Sequence, residues 1–344
     1  MDCKIVRGGD TCVASEVYPK PGENTLKFKK YGNLFKHTIK IYADFECALE
    51  EMDENSGSIQ KHMRHIPVCF AIRVVSHIKE FQPKDIVYSG GGAGKGFMFE
   101  ISEIAKKAHE FLITDTPAKR TPKETEKFNM EKVCFACGGE FVEGDDNLEK
   151  CFDHNYITGE YRCAMHNYCN RVAKKECEIP KFLHNFGCYD VHLIVRELDS
   201  MDNGKVNCIM QNNEKCISIS KDVFVDEVEE LRVDEEGDVV VNREIKRFQR
   251  VVFKDSFRFI NRSIDSIAKG LPEKSFEPLK KVYGEDWELM TQKGVYPYEF
   301  LGSLEKLEYE GLPSIESFSS SLAQGEIGPS DHEHALHVYK TMGC

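Results

Sequence analysis

The sequence lacks any apolar run of membrane-spanning length, and its opening residues, MDCKIVRGGD, contain no apolar signal-peptide core. We therefore expect no membrane partner and no export, and we predict an intracellular protein of the nucleus or cytoplasm. Basic residues are also in deficit, because 46 Lys and Arg against 58 Asp and Glu give a net charge of −12. This balance argues against a protein that coats nucleic acid by charge alone. It still allows an enzyme that holds metal ions between carboxylates and touches DNA locally.

A complete phosphate-binding loop is missing as well. The stretch SGGGAGKGF, residues 89–97, has Ser89 where that loop needs glycine and Gly96 where it needs serine or threonine. We interpret this stretch as a flexible turn that precedes a helix. Internal repeats are also absent. From its length of 344 residues, the chain is expected to form one large domain or two smaller ones.

Cysteine, in contrast, is abundant, with 14 residues. Without a secretory signal these are expected to be reduced thiols, and close clusters of them are candidates for metal sites. Basic residues gather in two places, and each group is either a solvated face or a set of phosphate contacts. The two groups are Lys27, Lys29, Lys30, Lys36 and Lys40, and Arg171, Lys174, Lys175 and Lys181.

With 41% apolar and 30% charged residues, the composition is typical of a soluble globular protein with a sizeable core. Hydrophobic periodicity predicts strands and helices without strict alternation, and hence a mixed α/β fold. A polar loop is predicted at 51–62 and an exposed charged hairpin at 226–247. The predicted strands cover residues 38–49, 65–77, 85–90, 179–186, 205–212, 215–225 and 250–260, and the main predicted helices cover 97–115, 190–198 and 261–271.

The stretch IYADFECALE, residues 41–50, places two carboxylates one residue apart within the first predicted strand. Side chains alternate between the faces of a strand, so Asp44 and Glu46 point the same way. Neighbouring carboxylates repel each other, and a divalent cation such as Mg²⁺ or Mn²⁺ relieves that repulsion. Two such ions about 4 Å apart activate water and stabilise the leaving oxygen in phosphodiester cleavage. The alternative is a pair of acids on a solvent-facing side, next to Lys40.

A second polar group follows a later strand. In FLHNFGCYDVHLI, residues 182–194, the strand ends at His184 and Asn185, a short turn follows, and Asp190 begins a helix. The simplest interpretation is that Asp190 is a helix N-cap and that Asn185 serves the turn. An N-cap aspartate also serves as a metal ligand if it faces the same cleft as the carboxylates of the first strand.

The pattern Asp-Phe-Glu late in a first strand, followed much later by Asn-x3-Tyr-Asp, resembles the first two exonuclease motifs of family B DNA polymerases. Over most of residues 26–344, the sequence resembles the protein-primed polymerases of Maverick/Polinton-type elements and linear plasmids. Five stretches in family order carry this resemblance: LKFKKYGNLFKHTIKIYADFECALE, DHNYITGEYRCAMHNYCN, IPKFLHNFGCYDVHLIVREL, FKDSFRFINRSIDSIAKGL and QKGVYPYEFLGSLEKLE.

The resemblance implies an RNase H-like exonuclease fold, in which a mixed sheet is flanked by helices. It implies that Asp44, Glu46 and Asp190 hold two Mg²⁺ or Mn²⁺ ions for 3′–5′ proofreading hydrolysis. It further implies that His184, Asn185 and Tyr189 grip a single-stranded 3′ end of DNA, where aromatic stacking tolerates any base. In the parent enzymes a terminal priming protein is a further partner.

The sequence departs from the family pattern at the third exonuclease motif, Tyr-x3-Asp. None of the 13 tyrosines has aspartate four residues later, and Tyr156 with Glu160 comes nearest. The polymerase motifs are also missing. We therefore expect an exonuclease region without its last ligand and with little or no catalysis, or a non-catalytic nucleic-acid-binding derivative. The expected organisation is a lead-in segment at 1–36, exonuclease parts at 37–130 and 177–344, the second truncated, and a zinc-binding insert at 131–176.

Two pairs of metal-binding residues with two-residue spacers lie in that insert. Such a spacer lets both members of a pair reach one tetrahedral Zn²⁺, and the bound metal offsets the lack of a core in so small a unit. The predicted ligands are Cys134, Cys137, His166 and Cys169, with Cys163 as an alternative to His166. The leftover thiols, Cys151, Cys163 and Cys177, are expected to be buried and inert.

Between these pairs, FDHNYITGEYRC and the following HNYCN resemble the HNH-like fold of phage recombination endonucleases, which resolve branched DNA. That resemblance implies a catalytic metal at Asp153, His154 and Asn170. The further histidine of the pattern is Tyr156 here, a poor ligand for a hard cation. We therefore favour a structural or DNA-contacting role, with Arg162 and Arg171 as phosphate contacts. The stretch DHEHALH, residues 331–337, is interpreted as a helix surface rather than a metal site.

Overall fold

A computed structural model describes residue 20 and residues 31–56, 59–173, 178–199, 202, 204–233, 239–318 and 327–342. The chain forms two compact units. Of the described residues, 31–36, 120–154 and 161–173 form the cysteine-rich unit, and the others from 37 onward form the sheet unit. Six residues with predicted roles lie outside the described part of the chain: Lys27, Lys29, Lys30, Lys174, Lys175 and Cys177.

The mixed α/β plan predicted from periodicity is confirmed. The strands are β1 (Ile39–Ser56), β2 (Ile59–Ser76), β3 (Ile86–Ser89), β4 (Lys150–His154), β5 (Tyr161–His166), β6 (Glu178–Leu183), β7 (Val206–Met210), β8 (Cys216–Val233) and β9 (Val239–Asp255). The helices are α1 (Ala93–Leu112), α2 (Pro122–Met130), α3 (Asn167–Val172), α4 (Asp190–Ile194), α5 (Ile264–Lys269), α6 (Glu277–Tyr283) and α7 (Pro329–Met342). None of these helices combines the length and apolar content needed to span a bilayer.

Seven strands form one mixed sheet in the order β3-β2-β1-β6-β9-β8-β7. The three central strands, β1, β6 and β9, are parallel, and antiparallel strands flank them on both sides. Tyr42 lies opposite Phe182, and Leu183 lies opposite Asp255. Because parallel strands end at the same edge, the residues that follow β6 and β9 meet those late in β1.

The polar loop predicted at 51–62 is wrong, because both strands continue through much of it. β1 pairs with β2 as far as Asn55 opposite Gln60 and Ser56 opposite Ile59. The ladder is made by backbone N–H and C=O groups, which every one of these residues supplies. A polar composition therefore did not mark the end of the strands.

Helix α1 covers one face of the sheet and builds the main core. Its apolar residues recur at helical spacing, and Phe97 packs on Phe45 with ring centroids 4.6 Å apart. Burying a phenylalanine of this kind stabilises the fold by about 1.5–3 kcal/mol. The preceding glycines form the predicted turn, since Gly90 and Gly92 have φ angles of 143° and 74°. The helix begins at Ala93, four residues before the predicted start.

Lys181 corrects a second expectation. It was predicted to belong to a solvated or phosphate-contacting basic group, yet it is fully buried in β6 beside Ile41 and Phe253. Its ammonium nitrogen lies 4.5 Å from the centroid of the Phe253 ring and has no hydrogen-bond partner. Burial lowers the pKa of Lys181 well below its usual value, which favours the neutral amine. The buried side chain cannot contact a phosphate at the surface.

Candidate functional site

The edge at which the parallel strands end opens into a cleft of about 1050 Å³ in the sheet unit. Asp44 and Glu46 enter it from β1, and Asp190 enters it from the start of α4. Asp44 is exposed, Glu46 is half-buried and Asp190 is buried. The three predicted acids therefore line one cleft, which we call the carboxylate cleft.

Strand register explains the meeting of residues so distant in sequence. Tyr42 pairs with Phe182, so Asp44, two residues further along β1, is level with His184 just after β6 ends. The short turn after β6 then leads to Asp190 as the first residue of α4. The N-cap position belongs to Tyr189, and no side chain caps the helix, so the N-cap interpretation of Asp190 is wrong.

Mutual repulsion and burial dominate the electrostatics of the cleft. Burial, followed by the charge of Asp44, raises the pKa of Glu46 to about 7. Burial, followed by Asp44 and more weakly Asp255 and Glu46, raises the pKa of Asp190 to about 7. The pKa of Asp44 is also raised, because the cleft partly desolvates its carboxyl group even though the residue is exposed, and the charges of His184 and Lys293 act in the opposite direction. Such a group of acids favours a divalent cation, whose charge would lower all three pKa values.

Two side chains from a later segment touch this group and were not predicted from the sequence. The Tyr298 hydroxyl donates a hydrogen bond to Glu46, and the charge of Lys293 favours ionised Asp44 and Glu46. Both line the cleft. Their stretch, QKGVYPYEF, was noticed only for its resemblance, because neither its composition nor its spacing indicates a contact with acids more than two hundred residues earlier.

The residues predicted to hold a nucleic-acid strand also line the cleft. The Tyr189 hydroxyl lies 2.8 Å from His65 Nδ1, and His184 Nδ1 lies 3.0 Å from Ser256 Oγ. Asn185 is exposed and adopts a left-handed conformation, with φ of 66°. The opposite wall is apolar and comes from α5, α6 and the segments around them, with Ile264, Ile267, Leu271, Phe276 and Leu279.

Asp255 fixes the turn that presents Asp190, and this role was not predicted from the sequence. Its Oδ1 accepts hydrogen bonds from the backbone N–H groups of Asn185 and Phe257 at 2.9 and 3.0 Å, and its Oδ2 accepts one from Gly187 at 3.1 Å. Asp255 lay in the middle of the strand predicted at 250–260, whereas β9 ends at Asp255, so its place at a strand end was not evident from the sequence.

Substituting Gly187 tests how tightly this turn is specified. A Cβ at Gly187 would lie 2.1 Å from the carbonyl oxygen of Cys216, so Gly187→Ala must displace the turn. We expect a loss of about 1–3 kcal/mol in the free energy of unfolding, measured by urea denaturation. Gly270→Ala is the matched control, since its Cβ would come no closer than 3.5 Å to another heavy atom. Equal stability of the two variants would contradict a rigid turn.

A second site lies within the cysteine-rich unit. Atoms of Cys134, Cys137, His166 and Cys169 all lie within 4.8 Å of one another and could hold a metal ion. His166 Nδ1 lies 3.3 Å from Cys137 Sγ and 3.9 Å from Cys169 Sγ, while its Nε2 lies 2.9 Å from the carbonyl oxygen of Glu140. Donation from Nε2–H to that carbonyl leaves Nδ1 to face the sulfurs, the arrangement usual for a histidine ligand. The cluster contains His166 and not the alternative, Cys163.

The thiols of this cluster differ in their electrostatics. Burial and the negative charge of Cys134 raise the pKa of Cys169 to about 12. Burial also acts on Cys134, but N–H groups, including that of His166 with its nitrogen 3.3 Å away, donate to its sulfur and its net pKa is lowered. A cation at the centre would favour the thiolate form of all three cysteines.

The residues of the HNH-like resemblance are engaged in other contacts. Asp153 is fully buried, and its two oxygens accept hydrogen bonds from Arg162 Nε and Nη2 at 2.7 and 2.8 Å. Arg162 also lies over the Phe35 ring, 4.0 Å from its centroid. The predicted phosphate contact through Arg162 is therefore replaced by a structural ion pair. Asn170 donates its amide to Cys151 Sγ at 3.2 Å, whereas Arg171 is exposed and contacts Asn147.

Comparison of the chain with protein-family models, curated proteins and solved structures finds no match. The helix α7, which contains the stretch 331–337, is not part of a metal cluster among the described residues. Among the described residues, Cys134, Cys137, His166 and Cys169 form a cluster that could hold a metal ion. The carboxylate cleft is the second group of side chains from which function is argued.

Proposed function

We propose that this chain is the exonuclease region of a protein-primed family B DNA polymerase, with a two-metal site for 3′–5′ phosphodiester hydrolysis. The observation that carries the proposal is the convergence of Asp44, Glu46 and Asp190, from two segments, on one cleft. Burial and, after it, the charge of Asp44 raise the pKa values of Glu46 and Asp190, and Mg²⁺ or Mn²⁺ would favour the ionised form of both.

Strand order supports an RNase H-like fold for the sheet unit. An antiparallel run of three strands, β1 to β3, is followed along the chain by α1 and by β6 and β9, which extend the sheet in parallel from β1. The acids then stand at the edge where the parallel strands end, with α1 on one face. The Tyr-x3-Asp motif is absent from this sequence, so we expect weak hydrolysis at best.

Within this proposal each side chain has a defined task. Asp44, Glu46 and Asp190 would hold the metal ions, which supply the activated water and stabilise the leaving oxygen. Tyr298 holds Glu46 through its hydroxyl, and Asp255 holds the turn before Asp190. His184, Asn185 and Tyr189 line the cleft where a single strand would lie, and the apolar wall offers a surface for its bases.

We propose that the cysteine–histidine cluster binds structural zinc. Around an ion with bonds of about 2.3 Å to sulfur, tetrahedral ligand atoms lie about 3.8 Å apart, within the spread observed here. The buried pair of Asp153 and Arg162 argues against an HNH-like endonuclease, because both carboxylate oxygens of Asp153 already accept hydrogen bonds from the Arg162 guanidinium.

The exonuclease proposal is tested with zinc-loaded protein, Mn²⁺ and 5′-labelled single-stranded DNA. We expect Mn²⁺ binding by electron paramagnetic resonance and slow shortening from the 3′ end, with both reduced at least about tenfold in Asp44→Asn. Asp265→Asn is the matched control, since this aspartate lines the same cleft but pairs with Lys269 at 2.8 Å. DNA binding that persists without any effect of Asp44→Asn on Mn²⁺ binding or degradation would favour the non-catalytic binding protein instead.

A further inference from the structure

Three sulfur atoms meet on the outer hairpin of the sheet, formed by β7 and β8. Cys208 Sγ lies 3.4 Å from Cys216 Sγ and 3.1 Å from Met210 Sδ. Cys208 and Met210 are exposed, whereas Cys216 is 1% exposed. We call this group the sulfur trio.

Strand register explains why the three sulfurs share one face. Cys208 and Met210 are two residues apart on β7, and Met210 lies directly opposite Cys216 on β8. A bulge between Ile209 and Met210 shifts the pairing at this point. Side chains two apart on a strand, and side chains directly opposite across two strands, point to the same face.

The same register disfavours a disulfide. Cys208 and Cys216 are diagonal neighbours, whose Cα atoms lie about 7–8 Å apart in a typical antiparallel pair. A disulfide usually requires about 4.4–6.8 Å. At that typical spacing an S–S bond between Cys208 and Cys216 would be strained, although their Sγ atoms lie 3.4 Å apart.

A bridging ion fits this spacing better. Three sulfurs around an ion at about 2.3 Å lie about 4 Å apart. The present separations of 3.4 and 3.1 Å need to open by less than about 1 Å, which small rotations of the exposed Cys208 and Met210 side chains provide. Two thiols and a thioether are soft donors, and the thioether in particular has little affinity for Mg²⁺ or Ca²⁺.

We propose that Cys208, Met210 and Cys216 form a binding site for a soft monovalent cation, Cu(I). The site is independent of the proposed exonuclease activity, since none of its residues lines the carboxylate cleft. Binding replaces two S–H protons by bonds to the metal, and the protons pass to solvent, so no oxidant or reductant is consumed when copper is supplied as Cu(I).

The test is an anaerobic titration of zinc-loaded protein with Cu(I), in competition with the chromogenic chelator bathocuproine disulfonate. We expect one Cu(I) to be bound without release of zinc. Affinity should fall at least about tenfold in Cys208→Ser and about tenfold in Met210→Leu. Cys188→Ser and Met130→Leu are matched controls, because both side chains are exposed and neither belongs to a sulfur cluster; they should leave the affinity unchanged.

Three results would overturn the proposal. One is the absence of Cu(I) binding, and a second is binding that releases zinc and survives Cys208→Ser, which would assign the copper to the cysteine–histidine cluster. The third is a protein, prepared under reducing conditions and then left in air, that gives a Cys208–Cys216 disulfide by mass spectrometry and no copper binding in its reduced form. Circular dichroism of Cys208→Ser and Met210→Leu confirms that both variants are folded before their affinities are compared.

Discussion

Replacing Cys169 by serine is expected to abolish the proposed zinc binding and unfold the cysteine-rich unit. Among the described residues, the buried cluster at this site is formed by Cys134, Cys163, Met165 and Cys169, and two of these four are proposed zinc ligands, so loss of the metal disrupts the cluster directly. Structural zinc contributes about 10–16 kcal/mol in small zinc-binding units, more than most domains have as net stability. The measurements are zinc content by mass spectrometry and hydrogen exchange in β4 and β5, which should lose protection.

Cys163→Ser is the matched control for this experiment. Cys163 is also buried, but its sulfur faces Asp153 Oδ2 at 3.7 Å rather than the cluster. Burial raises the pKa of Cys163, as expected for a structural thiol. This variant should retain one zinc per chain. Retention of zinc by Cys169→Ser and its loss from Cys163→Ser would show that the ligand set is different from the one proposed.

Replacing Asp190 by asparagine is expected to stabilise the fold at pH 8 while abolishing metal binding in the carboxylate cleft. The carboxyl has a folded-state pKa of about 7, against an ordinary value of 3.8. Because the folded state binds this proton more tightly than the unfolded state, ionisation opposes folding, and the penalty grows as pH rises from about 4 to about 7. Asp190→Asn removes it, which corresponds to a gain of about 2–4 kcal/mol at pH 8.

The sign of this effect is checked by urea denaturation at two pH values, without added Mg²⁺ or Mn²⁺. At pH 5 the Asp190 carboxyl of the folded protein is protonated. The gain in the free energy of unfolding from Asp190→Asn should therefore be less than half of the gain at pH 8. Excess Mn²⁺ should stabilise only the unsubstituted protein, since a ligand that binds the folded state alone adds to its stability. A destabilised variant at pH 8, or one that Mn²⁺ still stabilises, would contradict the assignment of Asp190 as a strained metal ligand.

Much of the carboxylate cleft follows from local sequence. The alternation of side chains along β1 put Asp44 and Glu46 on one face, and a short turn after a buried strand placed Asp190 at the start of a helix. These inferences need only neighbouring residues. Local sequence also predicted the cysteine–histidine cluster, because two-residue spacers indicated the four residues that the structure brings together.

What the sequence could not supply depends on contacts between distant segments. Tyr298 and Lys293 reach the acids through the path of the chain after α6, which has no periodic pattern to read. Asp255 acts through strand register, since it pairs with Leu183 only because β6 and β9 are parallel neighbours. The prediction for Lys181 was wrong because lysine is rarely buried without a partner. Its neighbours in the sequence do not indicate that its amine lies over the Phe253 ring.

The order in which the parallel strands occur along the chain has a consequence for biosynthesis. The cysteine–histidine cluster has all its ligands once Cys169 has left the ribosome, whereas the β6–β9 ladder that fixes the carboxylate cleft needs the chain as far as Asp255. Long-range parallel pairing is intrinsically slow. Until the chain as far as Asp255 has been made, the edge of β6 that pairs with β9 stays open, so we expect a pause in synthesis at this point to expose an unpaired strand edge.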